Sequence, residues 1–179
     1  GSVGRILPGM ESKLEELKGI TDGKKLWIKG DNLMVGYLKA DKPGILQPLE
    51  DGWYDTGDIV DIDEDGFIFI KGRAKRFAKI GGEMVSLTTV EMAINKLWEG
   101  ILQGIVVIPD DRKGEQLILI TEKENGNVAD IVKYFKEIGL SELWAPKKII
   151  YMKKVPILGT GKFDYVSAKK MVESGEIKN

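Results

Sequence analysis

Apolar and polar positions change rhythm partway along the chain. In residues 1–72 the apolar runs are short and end at turn residues. Leu26-Trp27-Ile28-Lys29-Gly30 is an aromatic and β-branched run that stops at glycine, which predicts a strand. Asp58-Ile59-Val60-Asp61-Ile62 and Phe67-Ile68-Phe69-Ile70 flank Asp63-Glu64-Asp65-Gly66, a hairpin signal with Asp-Gly in the turn. This part reads as a small β subdomain with few or no helices.

From residue 73 the pattern is mixed. Thr88-Thr89-Val90-Glu91 reads as a capping box, and Val90, Ala93, Ile94 and Leu97 then recur at helical spacing. Asn127 reads as the cap of a second helix, with Val128, Ile131, Val132, Phe135 and Ile138 on one face and Gly139 as its stop. Asp164 opens a last short helix through Met171. Three apolar runs predict a three-stranded sheet: Gly104–Ile108, stopping at Pro109; Gln116–Ile120; and Lys148–Met152. The fold class is therefore α+β. Residues 1–72 form a terminal β subdomain, and residues 73–179 a compact domain of sheet and helices large enough to hold its own core.

Composition narrows the chemistry. The 179 residues contain neither cysteine nor histidine. Disulfides, thiolate chemistry, Cys/His zinc sites and His-based triads are excluded. No apolar run approaches the roughly 20 residues of a membrane-spanning helix, and the first residues do not read as a secretory signal. The net charge of −1 argues against a nucleic-acid partner, and Phe77 is the one aromatic among the basic residues at 71–79. The charge is unevenly spread. Residues 1–72 carry 9 Lys+Arg against 14 Asp+Glu, and residues 73–179 carry 18 against 14. A sign change near residue 72 fits two units with different partners, although such splits also arise by chance.

Three segments are more polar or glycine-rich than packing requires. Asp58, in Trp53-Tyr54-Asp55-Thr56-Gly57-Asp58, stands at the mouth of an apolar strand, where a carboxylate can accept two hydrogen bonds from a vicinal diol such as a ribose. The same residues also suit a plain turn. Lys71–Val85 places basic residues at 71, 73, 75, 76 and 79 ahead of Gly81-Gly82, which either turns tightly or lets backbone approach a ligand. A solvated basic hairpin is the alternative. In Pro156-Ile157-Leu158-Gly159-Thr160-Gly161-Lys162, the lysine sits on a glycine-bounded loop and offers a point charge for an oxyanion or phosphate. The P-loop spacing fails there, because Phe163 follows Lys162. A simple surface loop is the other reading.

Taken in order, Thr56-Gly57-Asp58, Gly72-Arg73, Gly81-Gly82-Glu83 leading to Glu91, and Pro156 to Lys162 resemble the C-terminal motif series of the adenylate-forming enzymes: acyl-CoA synthetases, peptide-synthetase adenylation domains and beetle luciferases. Leu26–Gly30 through Gly36-Tyr37-Leu38 is similar to the segment preceding that series, so the resemblance covers essentially the whole chain. Within the family, Gly72–Ile80 and Leu158–Lys162 look most like the acyl-acyl carrier protein synthetase part of bifunctional 2-acylglycerophosphoethanolamine acyltransferase/acyl-carrier synthetases.

The resemblance implies a set of roles. Asp58 binds the ribose hydroxyls of ATP and AMP, and Arg73 joins it. Lys75 is the hinge about which the second domain turns between half-reactions. Gly81, Gly82 and Glu83 form the loop approaching the pantetheine thiol, and Lys162 is the catalytic lysine of adenylation. ATP and Mg²⁺ are the implied cofactors, with Mg²⁺ held mainly by residues outside this chain, and this chain itself supplies no metal ligand. The implied partners are a fatty acid and an acyl carrier protein, with coenzyme A as the alternative acceptor. A cytoplasmic location follows, with the cytoplasmic face of the inner membrane as the variant for a membrane-associated parent. The family's Ser/Thr/Gly-rich phosphate loop and its adenine-binding segment are not found in this sequence. The expectation is a C-terminal fragment that does not adenylate alone. A non-catalytic module that docks a carrier protein or nucleotide is the competing reading.

Overall fold

A computed structural model describes residues 1–177. The chain forms two compact units that divide between Lys75 and Arg76.

The first unit is built on an antiparallel four-stranded sheet of order β1-β2-β5-β6, comprising β1 (Glu11–Glu15), β2 (Lys24–Lys29), β5 (Tyr54–Ile62) and β6 (Ile68–Arg73). The β5–β6 connection is the hairpin expected from the sequence. Asp63 Oδ1 accepts the Asp65 and Phe67 amides, and Gly66 supplies the positive φ of 81° that closes the turn. The core of this unit is small: Leu26, Val60 and Ile68 are buried, with Ile6, Ile28 and Ile62 against them. A separate two-stranded ribbon, β3 (Gly36–Leu38) with β4 (Leu46–Pro48), leaves Val35, Tyr37, Leu38, Ile45 and Leu46 exposed. The helical content of the unit is one 3₁₀ turn, Glu50–Gly52.

The second unit is α+β, but its sheet has five strands, not three. The central strand is β10 (Gly114–Thr121). Along one edge it pairs antiparallel with β9 (Gln103–Asp110). Along the other it pairs in parallel with β11 (Lys148–Tyr151) and touches β7 (Phe77–Ile80) at Gly114. β8 (Glu83–Ser86) pairs with β7 and completes the sheet. The additional strands lie in the segment read from sequence as a basic, glycine-containing stretch. Lys75, Arg76, Lys79 and Gly81-Gly82 interrupt an apolar series, Phe77, Ala78, Ile80, Met84 and Val85, that is too short to stand out as a strand pair. β9 also continues through Pro109, where the sequence reading ended it. Proline lacks only the donor, and the Pro109 carbonyl still accepts a bond from the Gln116 side chain.

Burial explains the uninterrupted apolar run in β10. Leu117 and Leu119 face a core formed with α1 (Leu87–Leu97) and α2 (Val128–Glu137), while Ile118 and Ile120 face a second core under α3 (Tyr165–Glu173). A strand covered on both faces needs no polar alternation. Asn127 caps α2 through the Asp130 amide, and Asp164 caps α3 through the Val166 and Ser167 amides. At α1 the sequence reading fails by two residues. Ser86, not Thr88, is the cap, accepting from the Thr89 amide. Glu91 is then two residues too far along to complete a capping box, and it is free for another role. Among the described residues, no helix is long and apolar enough to cross a membrane.

Candidate functional site

In the first unit, Asp58 and Arg73 are register partners across the β5–β6 ladder. Arg73 Nε lies 2.7 Å from Asp58 Oδ1, and one Arg73 terminal nitrogen donates to the Thr56 carbonyl at 3.0 Å. The local chain is shaped to hold this pair. The Asp55 carboxylate accepts the Gly57 amide at 2.9 Å, and Gly57 takes a φ of 69°. The Thr56 hydroxyl donates to the Leu26 carbonyl and accepts the Asp58 amide. A bulge follows between Ile59 and Val60, a device that re-aims side chains next to sites. The Asp58 side chain is 17% exposed and that of Arg73 is 61%. Burial raises the Asp58 carboxyl above its ordinary value, and Arg73 only partly opposes this. Asp58 Oδ1 is buried and has the ion pair but no well-aligned hydrogen bond. Oδ1 is closed off against Arg73, so a ligand hydroxyl would meet the pair through the remaining surface of the carboxylate and the mostly exposed guanidinium.

Lys75 is exposed, in the turn that ends the first unit. Arg73, which the sequence reading placed at the start of the second domain, closes β6 within the first unit.

In the second unit, Gly81 and Gly82 form the two-residue turn between β7 and β8, with φ of 58° and 93°, and Glu83 begins β8. Two successive positive φ values are what a tight antiparallel hairpin of this length needs, so the glycines have a local cause in the turn itself. All three residues are exposed. A pocket of about 190 Å³ lies beside the turn, lined by Ile80, Leu117, Val132, Leu143, Lys113 and Lys147 among others. Small-molecule sites more often measure roughly 300–1,000 Å³.

Lys162 lies on a loop that is closed on itself. The Leu158 amide donates to the Lys162 carbonyl at 2.7 Å, and the Gly161 amide donates to the Leu158 carbonyl at 2.8 Å. Ile157 and Phe163 form a β-bridge at its base. The Lys162 side chain is exposed and, among the described residues, makes no ion pair. A free ammonium is thus held out on a structured support. Among the described residues of this unit, no hydrogen bond joins it to the Gly81–Glu83 turn.

The sequence reading missed one cluster. Arg76 pairs with Glu91, whose other carboxylate oxygen accepts the Ile105 amide at 2.8 Å, and the Tyr165 hydroxyl donates to Glu91 at 3.2 Å. The signal in the sequence is Glu91, whose spacing from Thr88 also fits a capping box, while Ser86 provides the cap. Among the described residues, no group of acidic side chains could by itself hold a metal ion.

The fold is that of the C-terminal domain of adenylate-forming enzymes. Solved neighbours include ATP-bound MatB from Rhodopseudomonas palustris, with a TM-score of 0.75 and 23% identity over 97% of this chain and 36% of that one. Another is the fatty acyl CoA synthetase of Mycobacterium tuberculosis, with a TM-score of 0.62 and 27% identity over 98% of this chain and 36% of that one. Curated relatives agree. The chain is 33% identical to the peroxisomal trans-cinnamate:CoA ligase of Petunia hybrida over 153 residues, 84% of this chain and 26% of that enzyme. It is also 33% identical to the 2-succinylbenzoate–CoA ligase of Staphylococcus epidermidis over 180 residues, 98% of this chain and 36% of that one. These relatives and neighbours support the adenylate-forming superfamily as the class of protein. No family model matches the chain. The chain spans about a quarter to a third of the length of the relatives it matches.

Proposed function

We propose that this chain is the C-terminal portion of an ATP-dependent acid–thiol ligase. In the first half-reaction a carboxylate oxygen attacks the α-phosphorus of ATP, the bond to the β-phosphate oxygen breaks, and pyrophosphate leaves. In the second, a thiolate attacks the acyl carbon, the bond to AMP breaks, and a thioester forms. The observation that carries this reading is the Asp58–Arg73 pair, a carboxylate fixed by an ion pair across the β5–β6 ladder beside a mostly exposed guanidinium, an arrangement suited to the ribose of ATP and AMP. Lys162 is the charge that steadies the transferring carboxylate and the developing pyrophosphate. Removing one preorganised charge of this kind costs on the order of 10²–10³ in rate. Lys75 is the proposed joint between the half-reactions, and Gly81-Gly82-Glu83 the surface offered to the thiol arm. Mg²⁺, which would offset phosphate charge, is assigned to residues outside this chain.

The acid is a fatty or related organic acid. Two acceptors are in play. The CoA ligases among the relatives favour coenzyme A, while the Gly72–Ile80 segment favours acyl carrier protein, whose acidic surface suits the excess of Lys and Arg after residue 72. The test is an extended protein carrying the upstream two-thirds expected from the relatives. It should exchange pyrophosphate into ATP with a fatty acid, lose at least 100-fold of that rate in Lys162→Ala, and form a thioester with one acceptor. Pyrophosphate exchange by the 179-residue chain alone, or an unaltered rate in Lys162→Ala, overturns the reading.

A further inference from the structure

The Arg76–Glu91–Tyr165 cluster begins one residue after Lys75 and ends three residues after Lys162. Its parts come from four places: the first residue of the second unit, α1, β9 and the N-terminus of α3. The Arg76 guanidinium carbon sits 3.8 Å from the Tyr165 ring centroid, a cation–π distance, while one of its nitrogens pairs with Glu91. The Arg76 and Glu91 side chains are only 21% and 15% exposed, so the pair is shielded from solvent. The Arg76 carbonyl accepts the Leu87 amide, which fixes its backbone to the start of α1. On the far side, the Tyr165 ring packs 4.9 Å from that of Phe163. Phe163 is wedged against Gly104 so closely that a methyl group there would meet the ring at 2.6 Å. Phe163 is also the residue that closes the base of the Lys162 loop.

A line of packed groups therefore runs Arg76, Tyr165, Phe163, and Phe163 leads through the chain to Lys162, with Glu91 bracing the line from α1 and β9. A partly buried charge pair of this kind adds little net stability compared with an apolar substitute, and its better-attested use is to fix one geometry. We propose that Arg76, Glu91 and Tyr165 are positioning residues: they latch the Lys162 loop to the first residue of the second unit, so that a turn at Lys75 carries Lys162 as a rigid arm. The role in turning rests on the function proposed above; the latch itself does not. None of the three touches the reacting atoms. Their work is to keep the lysine's support at a fixed place relative to the joint.

Amide hydrogen exchange on the 179-residue chain tests the latch without any assay of catalysis. Arg76→Met keeps the stem and removes the charge, and Tyr165→Leu removes the ring. Each is expected to speed exchange at Leu158 and Gly161, the amides bonded within the Lys162 loop, by about 10-fold or more. Exchange at Ile118 to Ile120 in the central strand stays within about 2-fold. Arg76→Lys, with no planar fork to pair and stack at once, leaves the loop amides faster than in the original chain. Unchanged loop exchange in both Arg76→Met and Tyr165→Leu overturns the proposal, as does equal loosening of loop and central strand, which marks a general loss of stability. In the extended protein, Arg76→Met should lower the adenylation kcat with little change in the KM for ATP. If the exchange result holds but Lys162→Ala leaves adenylation intact, the function proposed above fails and the latch stands. If Lys162→Ala abolishes adenylation but the loop amides stay protected, the reverse is true.

Discussion

Asp58 and Arg73 face each other across two neighbouring strands, and the ion pair does not fully compensate the carboxylate for its burial. The Asp58 carboxyl is raised above its ordinary value by desolvation, with Arg73 acting against the shift. A raised acid binds its proton more tightly in the native state than in the unfolded chain. Its stabilising contribution is therefore complete below the unfolded value of 3.8 and is lost as pH rises through the folded value. At neutral pH the charged Asp58 is a cost. Asp58→Asn is expected to raise the melting midpoint at pH 7, with the difference shrinking as the pH falls through the raised folded value and levelling off below about 4. Calorimetry across that range checks it, and a lower midpoint at pH 7 contradicts it. The same substitution should weaken ATP binding in the extended protein, separating what the residue costs the fold from what it does for the ligand.

Tyr165 gives the opposite end of the pH scale. Burial first, and the Glu91 charge second, push its hydroxyl up to about 12, with Arg76 partly offsetting them. The native state then holds the phenol proton after the unfolded chain has released it. Stability contributed by this group is present below about 10 and is lost between about 10 and 12. Tyr165→Phe should flatten the alkaline fall in stability over that window. At pH 8 it should cost about 0.5–1.5 kcal/mol for the lost hydrogen bond to Glu91. Urea titrations at several pH values read both effects, and a slope identical to that of the original chain removes the assignment.

The turn at Gly81-Gly82 makes a conformational prediction. Gly82 has a φ of 93° and open space where a Cβ would stand, so its substitution is penalised by backbone strain and not by collision. Gly82→Ala is expected to cost about 1–2 kcal/mol. Gly81→Asn, at a φ of 58°, should be tolerated, because Asn enters the left-handed region readily. Equal losses from both changes would show that the turn demands glycine for another reason.

Gly104 makes the complementary case. Its backbone conformation is ordinary, and the obstacle is the Phe163 ring, 2.6 Å from where the methyl carbon would lie. Gly104→Ala should cost about 1–3 kcal/mol by overpacking. Its partner change Phe163→Leu should recover part of that loss, a coupling that a double-mutant cycle measures directly. Strict additivity of the two changes would rule out the wedge.

The elements most legible in the sequence were those whose signals are local. Asn127, Asp164 and Gly139 mark helix ends through bonds and backbone angles confined to one turn, and the structure has them there. The Asp63–Gly66 hairpin was equally plain. What was lost depended on partners distant in sequence. β7 and β8 owe their strand character to pairing with each other and, at Gly114, with β10, so no apolar run announces them. Thr88 and Glu91 match a capping pattern, yet Ser86 two residues earlier takes the cap, and Glu91 is drawn away by Arg76, Ile105 and Tyr165. On its own residues Asp58 reads as a single carboxylate at a strand mouth, and Arg73 joins it through the family resemblance; the physical cause of their meeting is the register of the β5–β6 hairpin.

A protease cut in the β3–β4 ribbon would leave the first unit's sheet paired. Lys39 lies exposed in the bend between the two strands, and Pro43 guards the peptide bond after Lys42 from trypsin. Within the ribbon a tryptic nick therefore falls after Lys39. It separates β2 from β5 along the chain but not in the sheet, where the two remain bonded side by side. Digested gently, the polypeptide should keep its native size in solution and reveal its two pieces only when denatured.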